Sequence, residues 1–291
     1  MGLARYMVLS GLRNKNMWFW GFAWMLMWII FGAFFFSRDF AKIPSPYLGE
    51  AARFYTADWA AGIATYEPTG FLVGLLYTLA YQTGGIAYLR RYGKLTPGRL
   101  IYSYYLAMVI PSLALSSLLM ALTVSLFYVG FRYQGLDVSI SSFLPKEPAP
   151  GLAEVLGLSV LASLFTQALL FLMAVAALNV SPKHVGRLAF IPMMLVFVSF
   201  YAYMFLDMPD WAILANPFMA IQGAIAAVYG GMGHLPSHLV MGGNGPLDIG
   251  KAVPLYYDVI SILAWTALLT ALSIPLILRI KYRSAEELRE L

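Results

Sequence analysis

The chain alternates long apolar runs with short clusters of charge, and the length of those runs decides what kind of protein it is. A hydrocarbon core needs about 20 apolar residues per helix. Six runs meet that need, at 17–36, 70–88, 103–131, 152–180, 188–206 and 255–280. The third, fourth and sixth exceed it and have length to tilt or project. After the fifth run the pattern breaks. Met208-Pro209-Asp210-Trp211 ends one apolar stretch, Asn216-Pro217 interrupts the next, and 218–228 is apolar but too short to cross. A helix that leaves the membrane core and dips back must be enclosed by protein, because unpaired backbone groups are not tolerated against lipid. The pattern therefore predicts an all-α membrane protein with six transmembrane helices and an external re-entrant helix between spans five and six.

Ahead of the first span, Leu3, Met7 and Leu12 stand against Arg5, Arg13 and Lys15. This spacing suits a short amphipathic helix in the inner interface, with a frayed basic terminus as the alternative. The first apolar run is too long for a signal-peptide core, and Phe34 to Arg38 offers no small-residue cleavage site. The chain reads as one transmembrane domain over 1–291: an N-terminal segment 1–16, a six-span region 17–280 and a cytoplasmic tail 281–291.

Composition supports that class. With 60% hydrophobic and 11% charged residues and a mean hydropathy of +0.73, the chain is too apolar for a soluble domain of its size. It contains no cysteine, which removes disulfides and thiolate metal or redox chemistry. The net charge of +5 matters through its distribution. Counted by alternate connections, 13 of the 19 cations fall on the side of the two termini, with three acids; the other side holds six cations and 11 acids. The positive-inside rule then puts both termini in the cytoplasm of a multi-pass plasma-membrane protein. There is no basic stripe for a nucleic acid.

Catalytic chemistry is removed by exclusion. Gly245 to Ala252 matches the start of a phosphate-binding loop, but Ala252 stands where a magnesium-holding hydroxyl is required. Gly157-Leu-Ser159 lacks the second glycine of a hydrolase elbow, and no histidine falls inside a span to act as its base. Ion-coupled carriers place ionisable groups near the bilayer midplane. The six runs carry none there, Glu154 and Asp258 being near outer ends. Ion coupling is disfavoured on this reading, and energy is expected from another subunit.

The cytoplasmic loop between spans two and three is compact, basic and aromatic, with turns at Gly93 and Pro97. Such a loop suits docking on a partner. Six spans with both termini inside, an amphipathic N-terminal segment, the loop Leu89-Arg90-Arg91-Tyr92-Gly93-Lys94-Leu95-Thr96-Pro97-Gly98-Arg99, and Met208-Pro209-Asp210-Trp211 followed by Leu214-Ala215-Asn216-Pro217 together resemble a type-2 ABC transporter permease. The resemblance covers nearly the whole chain. Gly93-Lys94-Leu95 replaces the family's usual Gly-Thr-Leu core, and the Asn-Pro after the fifth span is the more specific match.

The resemblance implies a transport subunit with no catalytic site. Two permeases, identical or paralogous, would pair in membrane lipid, and a separate ABC ATPase would bind ATP and magnesium. This chain would bind no cofactor itself. Arg90, Arg91, Tyr92, Gly93, Lys94, Leu95, Thr96, Pro97 and Arg99 would couple to the ATPase. Trp211, Asn216 and Pro217 would gate the external exit. The alternatives are a membrane scaffold or assembly factor, and a permease serving copper-enzyme maturation.

In the second span Gly70, Gly74, Tyr77, Tyr81, Gly84 and Tyr88 recur on one helical face, suiting a pathway or close helix packing. The resemblance implies that Gly74, Tyr77 and Tyr81 line the translocation pathway with Phe197, Phe200, Tyr201 and Met204 of the fifth span. That wall would be apolar and aromatic, fit for amphipathic or hydrophobic cargo. In the fourth span Ser159, Ser163, Thr166 and Gln167 form a small polar stripe suited to helix association. Outside, Met232, His234, His238 and Met241 could together offer ligands to Cu(I), against which stands a plain glycine-rich loop.

Overall fold

The computed structural model describes residues 2–13, 15–81, 85–86, 88–89, 92–93, 95–180, 185–206, 208–237 and 251–280. They form an all-α bundle with one two-residue ribbon. The helices are α1 (Gly2–Leu12), α2 (Lys15–Trp18), α3 (Trp24–Phe34), α4 (Ser45–Tyr81), α5 (Pro97–Tyr133), α6 (Pro148–Val180), α7 (Val185–Phe205), α8 (Asp210–Ala215), α9 (Pro217–Gly230) and α10 (Tyr256–Arg279). A π-helical turn, Phe19–Ala23, joins α2 to α3, and 3-10 turns cover Phe36–Lys42 and Ile140–Phe143. Strands β1 (Leu235–Pro236) and β2 (Ala252–Val253) pair antiparallel. Among the described residues, four helical stretches are long and apolar enough to cross a membrane: Phe19–Lys42, Pro97–Tyr133, Ile140–Ala176 and Tyr256–Arg279. This is an all-α membrane protein.

The centre of the bundle is α4, which packs against α5, α6, α7, α9 and the π turn. From Ala51 to Gly70 every residue but Arg53 is buried. Small residues make this enclosure possible: Ala51, Ala52, Ala57, Ala60, Ala61, Gly62 and Ala64 let neighbouring helices approach. A Cβ on Gly70 would lie 2.6 Å from the Trp20 carbonyl oxygen, so the π turn sits directly on the α4 backbone there. At the α3–α5 crossing, a Cβ on Gly130 would collide with the carbonyl of Ala33.

Two expectations need correction. The helix that holds the second apolar run does not begin at Gly70; α4 begins at Ser45, and that run fills only its last third. Its first part is shielded by protein rather than lipid, so it needs no high hydropathy. The expectation that no ionisable group lies at mid-depth also fails. Asp58 and Glu67 are both buried within α4.

Candidate functional site

Two features combine irregular backbone or buried charge with close packing. The first is the junction of α8 and α9. Asn216 has an extended backbone, and its Oδ1 accepts from the Phe218 N–H at 3.0 Å, with Pro217 at the first helical position. This is the N-cap pattern: an asparagine satisfies a free helix donor, and a proline needs none. Its Nδ2 donates to Ser199 Oγ of α7 at 2.8 Å. The following α9 has 14 residues, about 21 Å, against a core of about 30 Å. It is buried along nearly its whole length, packed on α4, α6, α7 and α10. It ends at Gly231, whose φ of 63° suits glycine, and Met232 N–H returns to the Ala227 carbonyl at 2.8 Å. The residues expected to form a gate occupy distinct places: Pro217 is buried, Asn216 is at the junction and Trp211 is exposed.

The second feature is the pair of acids in α4. Ser112 and Ser116 of α5 donate to Glu67 Oε2 at 2.6 and 3.1 Å. They are the 16th and 20th residues of a 37-residue helix, which puts Glu67 beside the middle of α5. Its Oε1 has no hydrogen-bond partner. Asp58 lies nine residues earlier, half a turn round α4, and neither of its oxygens has a partner. It lies within electrostatic reach of Tyr55 and of Tyr203, whose hydroxyl donates to the Pro236 carbonyl at 2.9 Å. An acid inside a membrane bundle is costly and marks a functional site by default. No sequence expectation named Glu67, Ser112, Ser116 or Asp58. The available signal was the alanine-rich stretch from Ala51 to Ala64, which favours helix strongly enough to place both acids inside one.

On the loop, Tyr92 N–H bonds to the Tyr88 carbonyl, and Gly93 and Leu95 N–H both bond to the Leu89 carbonyl. The rings of Tyr88 and Tyr92 pack at a tilt of 46° with 5.1 Å between centroids, and Tyr92 is 64% exposed. Leu95 turns inward against the core. Thr96 and Pro97 start α5: Thr96 Oγ1 accepts from the Arg99 N–H at 3.3 Å. Helix α1 lies along α5 with Met7 buried, while Leu12 faces outward. Arg90, Arg91 and Lys94 lie outside the described residues.

Of the expected pathway residues, Phe197 packs on Trp28 and Tyr66, Phe200 lies against Gly62, and Met204 is buried. Tyr201 is 55% exposed. Gly74, Tyr77 and Tyr81 fall in the last turns of α4, and their side chains lie outside the described residues. In α6, Ser159 and Gln167 hydrogen-bond within their own helix, while Thr166 Oγ1 has no partner, so the stripe does not join helices by hydrogen bonds. Met232 and His234 follow α9; His238 and Met241 lie outside the described residues. Ala252 sits in a β-strand, where a phosphate-binding loop would open a helix.

Compared with known protein families, characterised proteins and solved structures, the chain finds no match in any of the three.

Proposed function

We propose that the chain is the transmembrane subunit of an ATP-driven exporter of the type-2 ABC permease kind. Its six spans are α2–α3 with their π turn, α4, α5, α6, α7 and α10; α8 and α9 form the external re-entrant element, and both termini lie in the cytoplasm of the plasma membrane. Two permeases form the pathway, and a separate ATPase carries ATP and magnesium. The observation that carries this reading is α9: a capped apolar helix, too short to cross, enclosed by four longer helices between the fifth and sixth spans. The packing of α1 along α5, the helix that follows the tyrosine-bearing loop, supports it.

The exposed stripe of Phe190, Met194, Val198 and Tyr201 on α7 offers an apolar face to the second permease. The cargo on this reading is amphipathic or hydrophobic. The test is purification of the tagged chain from its native membrane in lipid nanodiscs. The expected result is a stoichiometric ATPase whose hydrolysis rate changes when the permease is removed or altered at Tyr92. A chain that purifies without an ATPase, or with one indifferent to it, rejects the exporter and leaves a membrane scaffold.

A further inference from the structure

Glu67 meets Ser112 where each helix carries an internal proline. Pro68 follows Glu67 in α4, and Pro111 precedes Ser112 in α5. A proline has no N–H, so the carbonyls of Ala64 and Ala107, four residues back, lose their usual helical donor. The carboxyl group thus bridges two helices at the height where each hydrogen-bond ladder is weakest.

The bridge is electrostatically incomplete. Both serine hydroxyls donate to Oε2, while Oε1 is buried and has no partner. Among the described residues the ion pairs are Lys42–Asp39 and Arg132–Asp137, both at the surface, so no cation neutralises Glu67. The elements packed on α4 carry other titratable or charged groups. Among residues whose side chains are described, these are Arg5 and Tyr6 of α1, Lys15 of α2, Arg99, Tyr102, Tyr104, Tyr105, Tyr128, Arg132 and Tyr133 of α5, Glu154 of α6, Tyr201 and Tyr203 of α7, and Tyr229 of α9. On α4 itself stand Tyr47, Glu50, Arg53, Tyr55, Asp58 and Tyr66. None of them is hydrogen-bonded or ion-paired to Glu67. A buried carboxyl group so placed takes up either a proton or a cation. Hard cations demand about six oxygen ligands. Here the carboxyl group and the two hydroxyls gather four oxygens, fewer than such a cation needs.

We propose that Glu67, with Ser112 and Ser116, is a proton-binding site inside the membrane, and that its occupancy sets whether α4 and α5 stay closed at their paired prolines. With the proton bound, a neutral acid bridges the helices and the seam stays dry. Its loss leaves a charge with one unsolvated oxygen, and the helices part at Pro68 and Pro111 to let water reach it.

The test is infrared difference spectroscopy of the full chain in nanodiscs as pH is raised. The wild type is expected to lose the carbonyl-stretch band of a protonated carboxyl, and Glu67→Gln is expected to lack that change. Ser112→Ala, which removes one donor and leaves the acid, shifts the band to higher frequency and keeps the test valid if Glu67→Gln fails to fold. Identical difference spectra for wild type and both variants overturn the proposal. Loss of the band on adding sodium at fixed pH also overturns it, in favour of a metal cation. Because the measurement needs neither ATPase nor cargo, its failure leaves the exporter reading untouched.

Discussion

The side chain of Asn216 caps α9 through Phe218 N–H and holds Ser199 of α7 through a 2.8 Å hydrogen bond. One residue therefore begins a helix and fastens that beginning to its neighbour. Losing an N-cap costs about 1 kcal/mol, and losing a hydrogen bond a similar amount. Asn216→Ala is expected to lower the melting temperature most. Asn216→Ser keeps a cap but falls short of α7, and Ser199→Ala keeps the cap but removes the acceptor, so both should fall between it and the wild type. Thermal unfolding in one detergent orders the four proteins; equal melting points for Asn216→Ala and Asn216→Ser would show that the cap contributes nothing.

Glycines separate in the same assay. At Gly130 a Cβ meets the Ala33 carbonyl, whereas at Gly157 it meets nothing within 4 Å. Gly130→Ala should cost about 1–3 kcal/mol through forced separation of α3 and α5. Gly157→Ala should stabilise by up to about 1 kcal/mol, as alanine does in a helix. A reversed order would mean that the α3–α5 crossing is loose.

The α8–α9 break was legible because its signals are local: asparagine before proline, then an apolar stretch of limited length. The start of α4 was not. Glu50, Arg53, Asp58 and Glu67 dilute the hydropathy of its first part, and the alanines between them register as neither clearly apolar nor clearly polar. A helix enclosed by other helices does not have to look like lipid. The contact between Glu67 and Ser112 spans 45 positions of sequence and depends on how α4 and α5 cross, so no spacing rule could expose it.

Asp58 tests whether buried charge is retained for activity at the expense of stability. Both its oxygens lack donors, so Asp58→Asn removes a desolvated acid without changing side-chain volume much. The expected outcome is a higher melting temperature together with, on the exporter reading, slower transport in reconstituted vesicles. A lower melting temperature would mean that the carboxyl group has stabilising partners in the protein as purified.

On the loop before α5, Tyr92 and Leu95 should respond differently although they are three residues apart. Leu95 packs against the core and Tyr92 is mostly exposed. Leu95→Asp buries a charge and should reduce folded yield. Tyr92→Asp should leave folding intact and, on the exporter reading, disconnect ATP hydrolysis from transport. Both are read by size-exclusion yield and by the ratio of cargo moved to ATP consumed. If Tyr92→Asp keeps the wild-type ratio, the loop does not transmit ATPase motion.

The external gate makes the sharpest demand on the exporter reading. Replacing Asn216-Pro217 by Ala-Ala removes the cap, the tie to Ser199 and the proline, and restores a backbone donor at position 217. Helices α8 and α9 can then run on as one from Asp210, about 30 Å long if both keep their present ends. That length no longer fits the enclosure among α4, α6, α7 and α10, so the element must leave it. Export should fail or become leaky while the partner continues to hydrolyse ATP. Transport and hydrolysis measured on one preparation decide the matter: normal export with only a lowered melting temperature would make α9 a stabilising cap and remove the gate.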